Sequence, residues 1–255
     1  MDGFSAFSSN TSLAGCSRFW TDGSHALSCQ PLLELGMGFV SSTRACGDMR
    51  LSGADGAAET RARFVRSFAP GRPFVCARQV HGDSIVLLSG AREEIYDERD
   101  GFLVPRSLDL AAGVFTADCL AICLYDSRTR DFALLHSGWR GSHAGITGKA
   151  LAMLYARGSL PADIHIACSP SIHACCYQVG PEFAEYFPKA SLMERDGHLY
   201  FDNQGSVLAA CMESGVLPEH IYPSPHCTAC FGARFFSHRR AGPGAGRMLT
   251  LAYRL

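Results

Sequence analysis

Three side chains able to bind a soft divalent metal stand where apolar runs break or close. They are His81 in "ARQVHGDSIV", Cys119 in "VFTADCLAICLYD" and His136 in "ALLHSGWRG". Their separations, 38 residues and then 17, match no short zinc signature, so spacing alone is weak evidence. Placement says more. Leu120–Tyr125 and Phe132–His136 flank a short polar turn, the pattern of an antiparallel hairpin. A hairpin sets the start of one strand beside the end of the next, which brings Cys119 to His136. With His81 from a neighbouring strand, the set has three protein ligands and one open position, as in catalytic zinc. Taken singly, each residue has a plainer reading. A reduced cysteine in an apolar strand is a small hydrophobe, and a strand-end histidine is ordinarily a hydrogen-bonded core residue.

The elements that must position these residues read as one α/β domain. At 255 residues, with 47% hydrophobic and only 18% charged, the chain can bury a sizeable core. A formal charge of −1 argues against nucleic acid as a partner, and no apolar run is long enough to cross a membrane. Residues 1–35 are rich in Ser and Gly and read as a loose N-terminal arm followed by a short first element, with the domain proper at 36–255. The apolar spacing of "AAETRARFVRSFA" predicts a helix over 57–69, stopped by Pro70-Gly71. Strands are predicted at 37–43, 74–80, 84–88, 101–104, 108–115, 120–125, 132–136, 164–168, 221–222 and 247–252, and helices at 143–157, 181–187 and 207–213. Without a secretory signal at the N-terminus, the twelve scattered cysteines point to free thiols in a reducing, cytoplasmic setting.

The blocks "QVHGD", "TADCLAICLYD", "HSGWRG", "SIHACCYQVG" and "CTACFGARFFSHRRAGPGAGRML" resemble, in order, those of the laccase-domain proteins, also called multicopper polyphenol oxidases. The resemblance spans about residues 36–252. It implies a layered α-β-β-α domain with mixed, largely antiparallel sheets flanked by helices. It also implies zinc-dependent phosphorolysis of purine nucleosides (adenosine, inosine, guanosine, methylthioadenosine) with adenosine deamination. The family's metal ligands fall on His81, Cys119 and His136, the three already reached from placement. Departures from the usual blocks occur at Ser137, Ser169-Pro170, His173-Ala174 and His238. None removes a ligand; they bear on substrate preference.

Phosphorolysis needs an anion cradle and deamination needs proton transfer. Gly138, Arg140 and Gly141 precede the helix predicted at 143–157 and are the candidate cradle, with Arg44 as a second guanidinium. Phe236 is a candidate stacking surface for the purine, and Trp139 a packing residue. Asp118 is the candidate acid or base, although strand alternation would send its carboxyl away from Cys119. Cys227-x-x-Cys230 lacks a second such pair and is not read as a metal site; Cys175-Cys176 is read as packing. Two other chemistries stay open: copper-dependent oxidation of phenols, and a Cys119–His136 hydrolase or amidase acting on cell-wall peptide precursors. The expected partners are purine nucleosides and phosphate, with the protein a monomer or homodimer.

Overall fold

The strand Leu120–Asp126 is buried at every position, and so is its neighbour Phe132–Ser137. Both are covered on two faces, which is why their sequences run apolar without alternating. In the computed structural model, which describes residues 19–23 and 25–255, these two strands form the centre of a six-stranded sheet. Its order is Ile221–Tyr222, Ile164–Cys168, Leu120–Asp126, Phe132–Ser137, Gly101–Val104, Ile85–Leu87. A seven-stranded sheet runs Trp20–Asp22, Ala26–Cys29, Met37–Ser42, Met248–Arg254, Ala111–Thr116, Phe74–Arg78, Glu94–Asp97. Most pairs are antiparallel; Phe74–Arg78 runs parallel to both neighbours, and each edge of the smaller sheet carries one parallel pair.

The two sheets face each other across one apolar core. Phe39, Val75, Val114 and Met248 of the larger sheet meet Phe102, Cys123, Tyr125 and Leu134 of the smaller. Alternate residues point outward. Ile122, Leu124 and Leu135 pack under the helices Ile146–Ala156 and Asn203–Glu213 through Leu151, Leu154, Val207 and Leu208. On the opposite outer face, Val40, Cys76 and Leu251 pack under the helix Ala57–Phe68 through Phe64 and Val65. The result is the expected α-β-β-α layering. No helix among the described residues is long and apolar enough to cross a membrane.

Three local features differ from expectation. Ordered structure at 19–35 is more extensive than one short element: Ala26–Cys29 pairs with Met37–Ser42, and Leu27, Cys29 and Leu32 are fully buried. The remainder of the arm, residues 1–18, lies outside the described residues. The helix expected over 143–157 begins earlier and is broken, as Trp139–His143 followed by Ile146–Ala156. Gly145 makes the break, at φ 76°, a left-handed conformation that glycine adopts without steric cost. A third sheet, Gln178–Val179, His198–Phe201 and Leu192–Arg195, was not anticipated. It holds an aromatic cluster of Phe183, Phe187 and Phe201, against which Trp139 packs as expected.

Candidate active site

The chain passes directly from the larger sheet to the smaller at three places, and each passage carries a residue of the site. Phe74–Arg78 leads to Ile85–Leu87 through His81, and Glu94–Asp97 to Gly101–Val104 through Asp100. Ala111–Thr116 leads to Leu120–Asp126 through Asp118 and Cys119. All three passages hold a non-glycine residue at positive φ: His81 at 62°, Glu98 at 52° and Asp118 at 94°. Each such residue costs of order 1–3 kcal/mol and persists only where its surroundings impose it.

The third passage corrects the hairpin argument. His136 lies opposite Ala121 and Ser137 opposite Leu120, so Cys119 precedes the paired strand and does not face His136 across it. The left-handed corner at Asp118 turns Cys119 back toward the strand end instead. His81, Cys119 and His136 still converge, with one donor atom from each within 4.8 Å of the others. The two imidazoles stand edge to face, with ring centroids 4.8 Å apart. Gly138 closes the group from behind: a Cβ there would lie 3.0 Å from the Cys119 sulfur and 3.1 Å from His81 Cδ2.

Asp100 is the residue the sequence reading missed. It is fully buried, and its Oδ1 lies 2.8 Å from His136 Nδ1. The same carboxylate accepts the backbone N–H groups of Val80, His81 and Gly82, at 3.3, 3.0 and 2.8 Å. Four donors surround one buried acid, so His136 commits an Nδ1 proton to it and keeps Nε2 for the other side, where a metal would take the place of the Nε2 proton. That is the carboxylate–histidine arrangement that orients a metal-binding imidazole. Burial pushes the Asp100 carboxyl up, but the His136 contact and the backbone donors outweigh it and hold it below the ordinary range.

Without metal the same proximity makes an ion pair. Burial pushes the Cys119 thiol up; the His136 charge and hydrogen bonds with His136 and His81 overcome this and bring it down to about 6. Burial likewise pushes His136 down, while Cys119 and Asp100 raise it to about 9. A thiolate flanked by imidazoles is the form that binds zinc. The donor set, the fixed tautomer and the close glycine together fit a tetrahedral ion with one position left open.

The three donors line a cavity of about 770 Å³ that is rich in arginine. Arg50, Arg78, Arg140, Arg239 and Arg247 face it, with Asp118 the one carboxylate on its wall. Arg50 is tied to Asp48 and Arg78 to Asp97. Among the described residues Arg140, Arg239 and Arg247 pair with no carboxylate; Arg140 lies over the Trp139 ring and Arg239 over Tyr177. The wall therefore carries uncompensated positive charge. Asp118 has both oxygens occupied, Oδ1 by the Thr228 hydroxyl at 2.6 Å and Oδ2 by the Arg239 N–H at 2.7 Å.

Of the expected substrate contacts, Gly138 and Arg140 line the cavity and three others do not. Gly141 is packed against Gly82, whose carbonyl oxygen would be 2.8 Å from a Cβ at 141. Arg44 opens a one-turn helix pinned by its N–H to the Arg234 carbonyl, and its guanidinium stacks on Phe236 at 4.7 Å. Arg44 and Phe236 thus satisfy one another away from the cavity wall. Tyr177, Asn203, Arg239 and Arg247 line it without having been singled out, and so does His238, noted above only as a departure from the usual blocks. Ser137 is buried in a polar chain, its hydroxyl 2.7 Å from Ser142, which in turn donates to Asn203.

Comparison with known proteins bears on the family and the fold. Adenosine deaminase RL5, from an unknown prokaryotic organism, is 35% identical over 160 residues, 60% of this chain and 61% of its own length. The matched segment thus spans less than two thirds of that relative. Purine nucleoside phosphorylase YlmD of Geobacillus stearothermophilus is 32% identical over 194 residues, 69% of this chain and 70% of its own. The crystal structure of YlmD from Geobacillus stearothermophilus superposes with a TM-score of 0.84 at 27% identity, covering 92% of this chain and 98% of that one. Residues 45–254 match the family described as multi-copper polyphenol oxidoreductase laccase, and the chain belongs to that family.

Proposed function

We propose that the protein is a zinc-dependent purine nucleoside phosphorylase that also deaminates adenosine. The observation that carries this reading is the shared cavity: the His81–Cys119–His136 donors and the unpaired arginines line the same space. Relatives named for both activities support it. His81, Cys119 and His136 would hold the zinc, which when bound would supply a Lewis acid able to acidify water or polarise a leaving group at neutral pH.

The chain's own residues supply the rest. Arg140, Arg239 and Arg247 receive phosphate, since guanidinium groups donate paired N–H bonds to its oxygens. In phosphorolysis a phosphate oxygen attacks the ribose C1′, and the electron pair of the C1′–N bond leaves with the purine. Tyr177 lines the cavity and, as a phenol protonated at neutral pH, is a candidate donor to the substrate. Asp118, with both oxygens taken, is a positioning residue that holds the Thr228 and Arg239 segments to the corner beside Cys119.

A copper oxidase reading asks for more imidazoles than the two in this set. The Cys119–His136–Asp100 line favours a second reading, a cysteine hydrolase with His136 as base and Asp100 as its orienting acid. Such a triad has no use for His81 on the same sulfur, whereas a metal does. The deciding assay is hypoxanthine release from inosine with and without phosphate. Phosphate-dependent release that disappears in Cys119→Ala supports the proposal; release that survives Cys119→Ala removes the metal from it. Arg247→Ala is expected to raise the phosphate KM by about 10-fold or more, the loss of a charge-assisted contact.

A further inference from the structure

Outside the cavity's donor set, four more thiols meet. Cys175, Cys176, Cys227 and Cys230 each place a sulfur within 4.8 Å of the other three. The Cys230 sulfur lies 3.5 Å from that of Cys175 and 3.4 Å from that of Cys176. Four thiolates about 2.3 Å from a tetrahedral zinc stand about 3.8 Å from one another. The observed separations sit close to that value. Cys230 meets two sulfurs almost equally, the pattern of a shared centre and not of one disulfide partner.

The backbone is built to hold them there. Ser171 bridges Cys227, with the Thr228 N–H on the Ser171 carbonyl at 2.9 Å, so two segments far apart in sequence run side by side. The N–H groups of Cys176 and Tyr177 both close on the His173 carbonyl at 2.9 Å, a turn that presents Cys175 and Cys176. The Cys227–Cys230 turn closes with the Phe231 N–H on the Cys227 carbonyl at 3.0 Å. The His173 N–H points at the Cys227 sulfur, 3.5 Å away, as N–H groups do around metal-bound thiolates. Arg195 and Arg240 donate to the carbonyls of Cys175 and Ala229, setting positive charge against a site that four thiolates would leave negative. The lobe's own apolar core is only Ile172, Cys227 and Ala229, too small to fix two loops by packing.

We propose that Cys175, Cys176, Cys227 and Cys230 form a second, structural zinc site that staples the 171–177 loop to the 226–231 loop. All four tetrahedral positions are filled by protein, so the site does no chemistry on substrate. Its effect reaches the cavity through the chain: Ile172 and Tyr177 line the wall, and Thr228 holds Asp118. The proposal is independent of which reaction the cavity performs.

Metal content per chain tests it, on protein purified under reducing conditions without added metal. Wild type is expected to carry two zinc ions and Cys119→Ala one, since that substitution leaves the four thiols untouched. In Cys119→Ala loaded with cobalt, the charge-transfer absorption should match four thiolates. Cys230→Ser should lose the second ion and keep the first; if Cys230→Ser does not fold, the Cys119→Ala measurement still decides. Cys119→Ala protein free of zinc, a second equivalent that is iron, or recovery of these cysteines as disulfides would each overturn the assignment.

Discussion

Asp100→Asn is the most informative single change, because it alters charge and hydrogen-bond polarity at constant shape. The carboxylate now accepts from His136 Nδ1 and from three backbone N–H groups, with no solvent exposure. An amide has one oxygen and one NH2, and neither orientation satisfies the site. With the NH2 toward His136, the imidazole must accept on Nδ1 and carry its proton on Nε2, which removes the lone pair a metal needs. With the NH2 toward Gly82 and Val80, donors face donors, and each buried N–H left unpaired costs about 1–3 kcal/mol. The two outcomes bracket the effect. Zinc affinity at the His81–Cys119–His136 site should fall by about 10–100-fold, the usual cost of removing a carboxylate behind a metal-bound histidine. That corresponds to about 1.4–2.8 kcal/mol. Competition against a chelator of known affinity, done in a Cys230→Ser background, reads this site alone. Affinity within twofold of the parent, with the fold intact, would refute the claim that Asp100 sets the His136 tautomer.

Three further outcomes follow from single observations. Gly138 has φ −76° and ψ 174°, which alanine adopts freely, yet a Cβ there meets Cys119 and His81 at 3.0 and 3.1 Å. Gly138→Ala should therefore weaken zinc by about 10-fold or more while the metal-free thermal midpoint stays put; a large drop in that midpoint would show a backbone role instead. In metal-stripped protein, the rate of Cys119 alkylation should follow a titration near 6 and decline below it, since His136 stabilises the thiolate; a midpoint near 9 would dissolve the ion pair. His165 is buried, bonded to the Tyr222 hydroxyl and stacked on His220 at 3.9 Å; burial first and the His220 charge second bring it from 6.5 down to about 4. A base depressed on folding stabilises fully above pH 6.5 and loses that contribution as pH falls through about 4, up to about 3 kcal/mol. Urea midpoints at pH 7 and pH 4 should differ less in His165→Gln than in wild type, and equal differences would count against it.

What the sequence disclosed follows from how local each signal is. The central strands were legible because burial on both faces writes itself as an unbroken apolar run, and the ends of Gly101–Val104 and Ile164–Cys168 fall where predicted. The strands Leu192–Arg195 and His198–Phe201 were not, because they are half-exposed and stabilised by one another and by an aromatic cluster that joins Phe201 to Phe183 and Phe187 of another segment. His81, Cys119 and His136 were legible as residue types; the corner that unites them was not, because Asp118 at φ 94° breaks the strand pattern that predicted its direction. The four-thiol cluster was hidden for a different reason. Each cysteine pair alone is unremarkable, and contacts between segments far apart in sequence, such as the Ser171–Cys227 bridge, join them.

The placement of the site on passages between the sheets explains why its residues are strained and scattered. A chain that leaves one layer and enters the other must reverse its side-chain alternation within a few residues, and a left-handed residue does so most compactly. Glycine would relieve the steric cost at 81 and 118, but it would give up the imidazole and the carboxylate that face the cavity. The buried Asp100 compensates for the strain at His81. Its carboxylate accepts three consecutive backbone N–H groups of the 80–82 passage, so the loop is held by the same group that orients His136. One acid thereby couples two of the three donors, one through its backbone and the other through its ring. Asp118 plays the matching part for the third, anchoring the corner before Cys119 to Thr228 and Arg239. The donor geometry is thus built by two carboxylates that need not touch a metal, and loss of either should loosen the set before it unfolds the sheets.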